Sequence, residues 1–174
     1  MTWNLDTAHS SVEFAVKHMV ISSTKGRFAN YEVDATVDEQ NLANSSVSVR
    51  IDAASVDSRD EKRDAHLRSA DFFDAENHPY ITFKSTRMES KGGDDYKLIG
   101  DLTIRGVTKQ ITLDSEVTGP VKDPWGGVRY GISAHGKVNR KEWGLTWNGL
   151  LEAGGLVVGD DVKLSIETEL VKAA

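Results

Sequence analysis

Most of the chain consists of segments in which apolar and polar residues alternate at a period of two. Val12, Phe14 and Val16, for example, alternate with polar residues. Successive side chains of a β-strand point to opposite faces, so this period predicts strands with one apolar face. About eight segments show the pattern, and they lie at residues 12–18, 31–37, 47–51, 81–85, 98–104, 111–117, 128–138 and 162–170.

Short turn signals separate most of these segments, because glycine supplies positive φ angles and proline fixes φ. The signals are Lys91-Gly92-Gly93-Asp94, Arg105-Gly106, Gly119-Pro120 with Asp123-Pro124, and Gly154-Gly155. One stretch breaks the period of two. Residues 58–61 have the spacing of a capping box, which predicts a helix over residues 59–73 with Leu67, Ala70 and Phe73 on its apolar side.

These elements predict one all-β domain with a single helix, spanning residues 1–174. Eight antiparallel strands must bury one face and protect their edges, so a sandwich or a closed barrel is expected. The alternation alone does not choose between them. Strands of roughly ten residues exceed the usual five or six and suit a tall barrel, which either fills itself or encloses one small ligand.

Composition and charge narrow the chemistry. A chain of 174 residues with 39% hydrophobic and 28% charged residues fits one globular domain. The absence of cysteine excludes disulfides, cysteine-ligated metals and a thiol nucleophile. The formal charge is −6 and the pI is near 5.4, so the protein as a whole is not attracted to a phosphate backbone, and we expect no nucleic-acid partner.

The first 14 residues show no basic stretch, apolar run or small-residue cleavage site, and no segment approaches about 18 apolar residues. We therefore expect a cytoplasmic location and no stable membrane insertion. A periplasmic location is expected instead if a leader has been removed.

Groups that could support catalysis or bind metal are scattered. The histidines are not spaced as in H-E-x-x-H, so a metal site could assemble only through the fold. They are His9, His18, His66, His78 and His135. No catalytic residue, metal site or cofactor is predicted. His18 continues the apolar face of Phe14 and Val16, so it is predicted to point inward, as a polar contact or as a core histidine bonded to backbone carbonyls.

Two of the four tryptophans, Trp143 and Trp147, lie close together within residues 139–148. Tryptophan at this density indicates either a buried plug at the barrel end or part of a ligand-binding wall. The sequence leaves both interpretations open.

Several blocks of distinctive residues run along the chain in a fixed order. They are Trp3-Asn4-Leu5-Asp6-x-x-His9-Ser10, Gly26-Arg27-Phe28, Arg63-Asp64-x-His66-Leu67-Arg68-Ser69-x-Asp71-Phe72-Phe73, Pro79-Tyr80-Ile81-Thr82-Phe83, Gly100-Asp101-Leu102-Thr103-Ile104-Arg105-Gly106, Asn139-Arg140 with Trp143-Gly144, and Val158-Gly159-Asp160-Asp161-Val162. Essentially end to end, the sequence resembles the YceI family, the polyisoprenoid-binding, lipocalin-like proteins of bacteria.

The resemblance implies an elongated eight-stranded antiparallel lipocalin-like barrel with one α-helix packed against it, and so favours barrel over sandwich. It also implies an apolar tunnel that holds a long-chain polyisoprenoid lipid, such as a quinone or polyprenyl species, for non-catalytic binding, transport or storage. That lipid, or another amphiphile, is the expected ligand, and no cofactor is implied. A homodimer remains open.

The tunnel wall is predicted from the apolar faces of the strands, the helical segment and the tryptophan-rich segment. The candidates are Phe14, Val16, His18, Phe28, Phe72, Phe73, Ile81, Phe83, Leu102 and Trp147. Two alternatives remain. One is sequestration of other amphiphiles, or a stress-response interaction protein with a self-filled core. The other is an enzyme acting on an isoprenoid substrate, with His18 or His66 as acid/base.

Overall fold

The computed structural model describes residues 3–149 and 157–172. Within these ranges the chain forms one α-helix, α1 (Glu61–Arg68), four short 3₁₀ turns and a sheet of 11 strands. The strands are β1 (Trp3–Leu5), β2 (Ser11–His18), β3 (Ser22–Phe28), β4 (Tyr31–Thr36), β5 (Ser46–Asp52), β6 (Val56–Asp57), β7 (Tyr80–Gly92), β8 (Asp95–Ile104), β9 (Val107–Lys122), β10 (Val128–Asn139) and β11 (Val158–Lys172).

The strands form one antiparallel sheet that curls strongly around its own apolar face. Hydrogen-bonded neighbours follow the order β4-β5-β7-β8-β9-β10-β11-β2-β3-β6, and β1 pairs with β11. Only Ala29 and Asn30 separate β4, at one end of this path, from β3, the last strand but one at the other end, so the chain itself links the two ends. The amide of Ala29 donates to the carbonyl of Ser55 at 3.1 Å, and that of Asp52 donates to the carbonyl of Asn30 at 3.0 Å. These bonds hold the two ends of the curled sheet together.

The predicted class, an all-β lipocalin-like fold with one helix, is confirmed, although the strand count differs. Each of the eight predicted segments overlaps a strand, and the structure adds β1, β3 and β6. The chain bends between β3 and β4 and again between β5 and β6. If each bent pair is taken as one strand, eight long strands remain beside the short β1.

Two predicted turns differ from the structure or fall outside it. Gly119-Pro120 lies inside β9, and the chain reverses instead between Asp123 and Gly127, where the amide of Asp123 donates to the carbonyl of Gly127 at 2.8 Å. Gly154-Gly155 lies outside the described residues.

The helix is shorter than the predicted 59–73. Asp60, rather than Ser58, caps its first turn by accepting a backbone hydrogen bond. The hydroxyl of Ser58 donates instead to the carboxylate of Asp64 at 2.5 Å. Arg59 has a φ of 64°, outside the right-handed helical range, so the helix cannot extend back through it.

The strand register defines two ends of the barrel. At the upper end His18 pairs with Val158, beside the β2–β3 turn. At the lower end Tyr130 pairs with Leu170, beside the β9–β10 turn. The core is correspondingly divided into a large cluster along the barrel and a smaller lower one, formed by Trp3, Val117, Tyr130 and Leu170.

Candidate functional site

The curled sheet and α1 enclose an apolar cavity of about 360 Å³. This volume falls at the lower end of the usual range for small-molecule sites, about 300–1,000 Å³. The wall consists mainly of valine, leucine, isoleucine and phenylalanine from the inward faces of the strands. The polar lining residues are Glu13, Lys17, His18, Thr24, Arg63, His66, Arg140 and Thr168.

All ten residues predicted for the wall line this cavity. They are Phe14, Val16, His18, Phe28, Phe72, Phe73, Ile81, Phe83, Leu102 and Trp147. Alternation placed the strand residues on the inward face, and the curl of the sheet brings them together. Their contact with a ligand stays a prediction.

Three phenylalanines form one side of the cavity. The ring centroid of Phe28 lies 5.5 Å from that of Phe14 and 5.6 Å from that of Phe73. Gly26 pairs with Phe14 across β2 and β3, and a Cβ atom there would lie 2.3 Å from the Phe14 ring. The absence of a side chain at Gly26 therefore lets the Phe14 ring occupy this part of the wall.

A second aromatic group lies near the upper end, where α1 meets the segment after β10. The ring of His66 packs edge-on against Trp147 at 4.6 Å and against Phe72 at 5.0 Å. Its Nε2 lies 2.9 Å from a carboxylate oxygen of Asp71. One edge of this histidine is thus held by a carboxylate while its ring faces aromatic carbon.

His18 also lines the cavity, but it is exposed at the end of β2 rather than enclosed in the core. Its place in the lining agrees with the prediction of an inward polar contact, whereas the alternative, a core histidine, is wrong. The alternation identified its face correctly, but the strand ends there, and the position is open to solvent. His18 therefore marks the upper mouth of the cavity.

The lower end of the cavity is closed by packing. Leu170 lines the cavity and is only 1% exposed. Behind it the rings of Trp3 and Tyr130 pack with centroids 5.2 Å apart. A smaller cavity of about 50 Å³ adjoins this region, and Met88, which lines it, packs against both hydrophobic clusters.

The two tryptophans in residues 139–148 have different roles. Trp143 is 1% exposed, and its indole Nε1 donates to the carbonyl of Leu102 at 3.0 Å. Trp147 is half-buried and lines the cavity. Trp143 thus fits the buried plug, and Trp147 lies on the cavity wall, where its contact with a ligand stays a prediction.

Arg140 is a buried wall residue that was not predicted. Its side chain donates to the carbonyls of Gly159 at 2.8 Å, Leu145 at 2.5 Å and Val158 at 3.4 Å. Burial lowers the pKa of the guanidinium, and the charge of Asp160 opposes that shift. Leu145 belongs to the segment after β10, whereas Val158 and Gly159 belong to β11, so the hydrogen bonds of Arg140 hold that segment against β11. The sequence signal was the basic residue within the tryptophan-rich segment.

The inward residues of β11 were also absent from the predicted wall. Val162, Leu164 and Ile166 line the cavity and are only half-buried. Leu164 lies directly opposite Phe14 in the ladder between β11 and β2. The alternation of the last predicted strand contained the signal needed to include them.

A charged cluster lies at the lower end, away from the main cavity. The guanidinium of Arg129 contacts Asp123, Asp6 and Glu169 at 2.8, 2.8 and 2.6 Å. Ligand atoms of Asp6, His9 and Glu169 lie close enough together to hold a metal ion. Arg129 already contacts both of these carboxylates, so it supplies the positive charge that a cation would bring.

Asp6 and His9 shift each other's pKa in this cluster. The hydrogen bond from His9, with a second from Arg129, lowers the pKa of Asp6 from 3.8 to about 2. The same hydrogen bond to Asp6 raises the pKa of His9 above 6.5. Stabilisation from Asp6 is therefore present above pH 3.8 and is lost as the pH falls through about 2. Stabilisation from charged His9 is present below pH 6.5 and is lost as the pH rises through its raised pKa.

We expect Asp6→Asn to lower the thermal unfolding midpoint most between pH 3.8 and 6.5, where both contributions are present. The difference from the wild-type protein should shrink below and above this window. Thermal unfolding followed by circular dichroism across the pH range measures it. A difference of constant size at every pH would contradict the coupling between Asp6 and His9.

None of the helices in the described residues has the length and apolar character needed to cross a bilayer.

Comparison with known proteins places this fold and cavity in a family. Residues 3–170 match the model of the YceI-like domain. The chain belongs to the YceI-like family. Among curated relatives, a UPF0312 protein of Serratia proteamaculans is 39% identical over 95% of this chain and 82% of its own length. A UPF0312 protein of Vibrio parahaemolyticus is 47% identical over 72% of this chain and 66% of its own length.

Solved structures agree with this YceI-like assignment. A YCEI protein from Campylobacter jejuni superposes with a TM-score of 0.79 at 34% identity, covering 91% of this chain and 90% of that one. A polyisoprenoid binding domain from Saccharophagus degradans, described as implicated in plant cell wall breakdown, gives a TM-score of 0.66 at 15% identity, with 98% of each chain covered. At that identity the second likeness supports the fold alone.

Proposed function

We propose that this YceI-like protein binds an amphiphilic lipid with a long apolar tail, in the class of polyisoprenoids such as quinones or polyprenyl species, and holds or carries it without chemical change. The observation that supports this most directly is the apolar cavity, which has an exposed residue at its upper mouth and a packed lower end. The described polyisoprenoid-binding role of the neighbour from Saccharophagus degradans is consistent with this ligand class.

The cavity favours one orientation of the ligand. The lower wall near Leu170 offers carbon surface, whereas His18 and His66 lie among the lining residues of the upper part. Burying a polar head group without a hydrogen-bond partner is unfavourable, while burying apolar carbon is favourable. We therefore propose that the tail points to the lower end and the head group lies at the upper mouth, beside the ring of Trp147.

Affinity is expected to come from the tail. Each buried CH₂ contributes about 0.8 kcal/mol, so about ten buried carbons give about 8 kcal/mol. This gross value corresponds to a dissociation constant of about 1 μM, before the cost of ordering the tail is included. The apolar wall supplies few directional contacts, so tail length and head-group polarity should matter more than the exact tail structure.

A non-catalytic role accords with the groups that line the cavity. His66 and Asp71 form a histidine–carboxylate pair like those that orient an acid/base histidine in some enzymes. Among the described lining residues, however, no serine or cysteine lies beside this pair to act as nucleophile. We propose that the pair fixes the His66 ring against Trp147 and shapes the mouth, and that no cofactor is required.

Mass spectrometry tests the proposal. Protein purified from its native host without detergent is extracted with organic solvent, and the extract is compared with that of the same protein denatured and washed before extraction. We expect the folded protein to release a lipid with a long apolar tail and, once emptied, to take up an added quinone. The proposal fails if no lipid exceeds the denatured control and no quinone is taken up.

A further inference from the structure

Three consecutive apolar residues form the exposed tip of the β2–β3 turn. The side chains of Met19, Val20 and Ile21 are 41%, 66% and 84% exposed. Single exposed apolar residues are ordinary on protein surfaces, whereas contiguous apolar patches mark contact sites. The tip is therefore a candidate for contact with another surface.

The backbone at the same tip is in an unfavourable conformation. Met19 and Val20 have φ angles of 53° and 69°, in the left-handed region. Glycine, asparagine and aspartate adopt this region readily, but a β-branched residue such as Val20 rarely does. Asparagine or glycine at these positions would adopt the positive φ angles with less strain. Either would also expose less apolar surface to water. Local stability therefore does not explain these side chains.

The tip lies at the mouth of the lipid cavity. His18, which precedes it, is the exposed lining residue at the upper end. The amide of Met19 donates to the carbonyl of Val157 at 2.9 Å, and both Val157 and Val158 line the cavity. A surface that covered the tip would therefore lie directly over the upper mouth of the cavity.

Three exposed lysines lie on the strands that lead to this tip, and one of them, Lys17, also borders the cavity. Lys25 and Lys163 lie on either side of Ala15 in the β3, β2 and β11 ladders, and Lys17 lies two residues further along β2. All three are exposed, and within residues 3–149 and 157–172 none is part of a salt bridge. Glu13 lies on the same strand as Lys17, while Asp160 and Asp161 of β11 pair with Lys141 and Lys137. The three lysines therefore add positive charge near the tip that is unpaired within the described residues, in contrast to the overall formal charge of −6, and suit an anionic surface.

We propose that the tip formed by Met19, Val20 and Ile21 docks the protein onto anionic lipid bilayers, so that ligand passes between the bilayer and the cavity without crossing water. The proposal rests on the lipid-binding function proposed above. Apolar side chains bury themselves at the boundary of head groups and acyl chains, and nearby lysines contact the lipid phosphates. The bilayer, the tip and the mouth of the cavity then adjoin one another, which gives the lipid a path that avoids water.

Vesicle flotation with the full chain tests the proposal. The double variant Val20→Asn, Ile21→Ser removes apolar surface and places a tolerant residue at the strained position. We expect its binding to vesicles of phosphatidylcholine and phosphatidylglycerol to fall at least about tenfold, since burial of two apolar side chains is lost. Its thermal unfolding midpoint should not fall. Wild-type binding should weaken with added salt.

Trp125 provides the matched control, because it is 85% exposed but lies in the turn at the lower end of the barrel. Trp125→Ser should bind vesicles like the wild-type protein. The proposal is overturned if the wild-type protein does not bind vesicles, if it binds only a protein partner, or if Trp125→Ser rather than the tip variant loses binding.

Uptake of quinone from detergent micelles separates the two proposals. Val20 and Ile21 are not among the lining residues, so the tip variant should take up quinone from micelles as well as the wild-type protein does. Normal uptake combined with unchanged vesicle binding by the tip variant would overturn the docking proposal and leave lipid binding intact. If the wild-type protein itself took up no quinone from micelles, the lipid-binding proposal would be overturned instead.

Discussion

Replacement of Phe14 by glutamate is expected to reduce lipid uptake at least about a hundredfold. The Phe14 ring lies on the cavity wall, with its centroid 5.5 Å from that of Phe28 and 6.4 Å from that of Phe73. A carboxylate there faces apolar carbon, and burying a charge without a partner costs several kcal/mol. Each 1.4 kcal/mol corresponds to a factor of about ten in affinity. A part of the cost of burying the charge is therefore enough to reduce uptake about a hundredfold. Quinone uptake measured by fluorescence or mass spectrometry is the readout.

The same strand supplies a matched control. Ala15 points to the opposite face, where its ladder partners are Lys25 and Lys163, so Ala15→Glu places the same charge beside two lysines outside the cavity. Its uptake should match the wild-type protein. Leu164→Glu, on the wall opposite Phe14, provides a second test if Phe14→Glu fails to fold. Normal uptake by a folded Phe14→Glu variant would remove this side chain from the binding surface.

Replacement of Trp143 by alanine is expected to lower the free energy of unfolding by about 3–5 kcal/mol. The indole is 1% exposed, and its N–H satisfies the carbonyl of Leu102. Trp143→Phe retains much of the ring but leaves that buried carbonyl without its donor, at a cost of about 1–3 kcal/mol. Denaturant unfolding measures both values. A typical domain has only about 5–15 kcal/mol in total, so the alanine variant should approach its limit of stability.

Trp125→Ala is the control for this measurement, because its side chain is 85% exposed. It should change the free energy of unfolding by no more than about 0.5 kcal/mol. Equal effects at Trp125 and Trp143 would show that burial of the indole at Trp143 is not what stabilises the upper end.

Strand alternation predicted the long strands but could not predict the strands that depend on their partners. In β3 only Gly26 and Phe28 are buried, so its sequence lacks an apolar period, and cross-strand pairing with β2 determines its conformation. The start of α1 shows the same limitation. Ser58 and Asp60 are both good caps by residue type, and the bond between Ser58 and Asp64 decides in favour of Asp60.

The cavity wall was predictable as a face but not as a depth. Phe14 and His18 share one face of β2, yet the ring of Phe14 lies within the wall while His18 is exposed at the mouth. The alternation shows which face of a strand a residue occupies, but not how far along the barrel axis it lies. Arg140 was missed for a different reason. Its three carbonyl acceptors come from residues 145, 158 and 159, which only the fold brings together.

The bend between β3 and β4 also affects how separate copies of the protein meet. Among the strands of the described residues, β4 has a ladder partner, β5, on one side only, and β1 lies close to its other side without forming a ladder with it. An unpaired strand edge is a template for intermolecular pairing and aggregation. Along β4 the exposed positions carry Glu32 and Asp34, so a second copy aligned on this edge would bring like charges together. We therefore expect the charge pattern of β4 to limit self-association along this side of the strand.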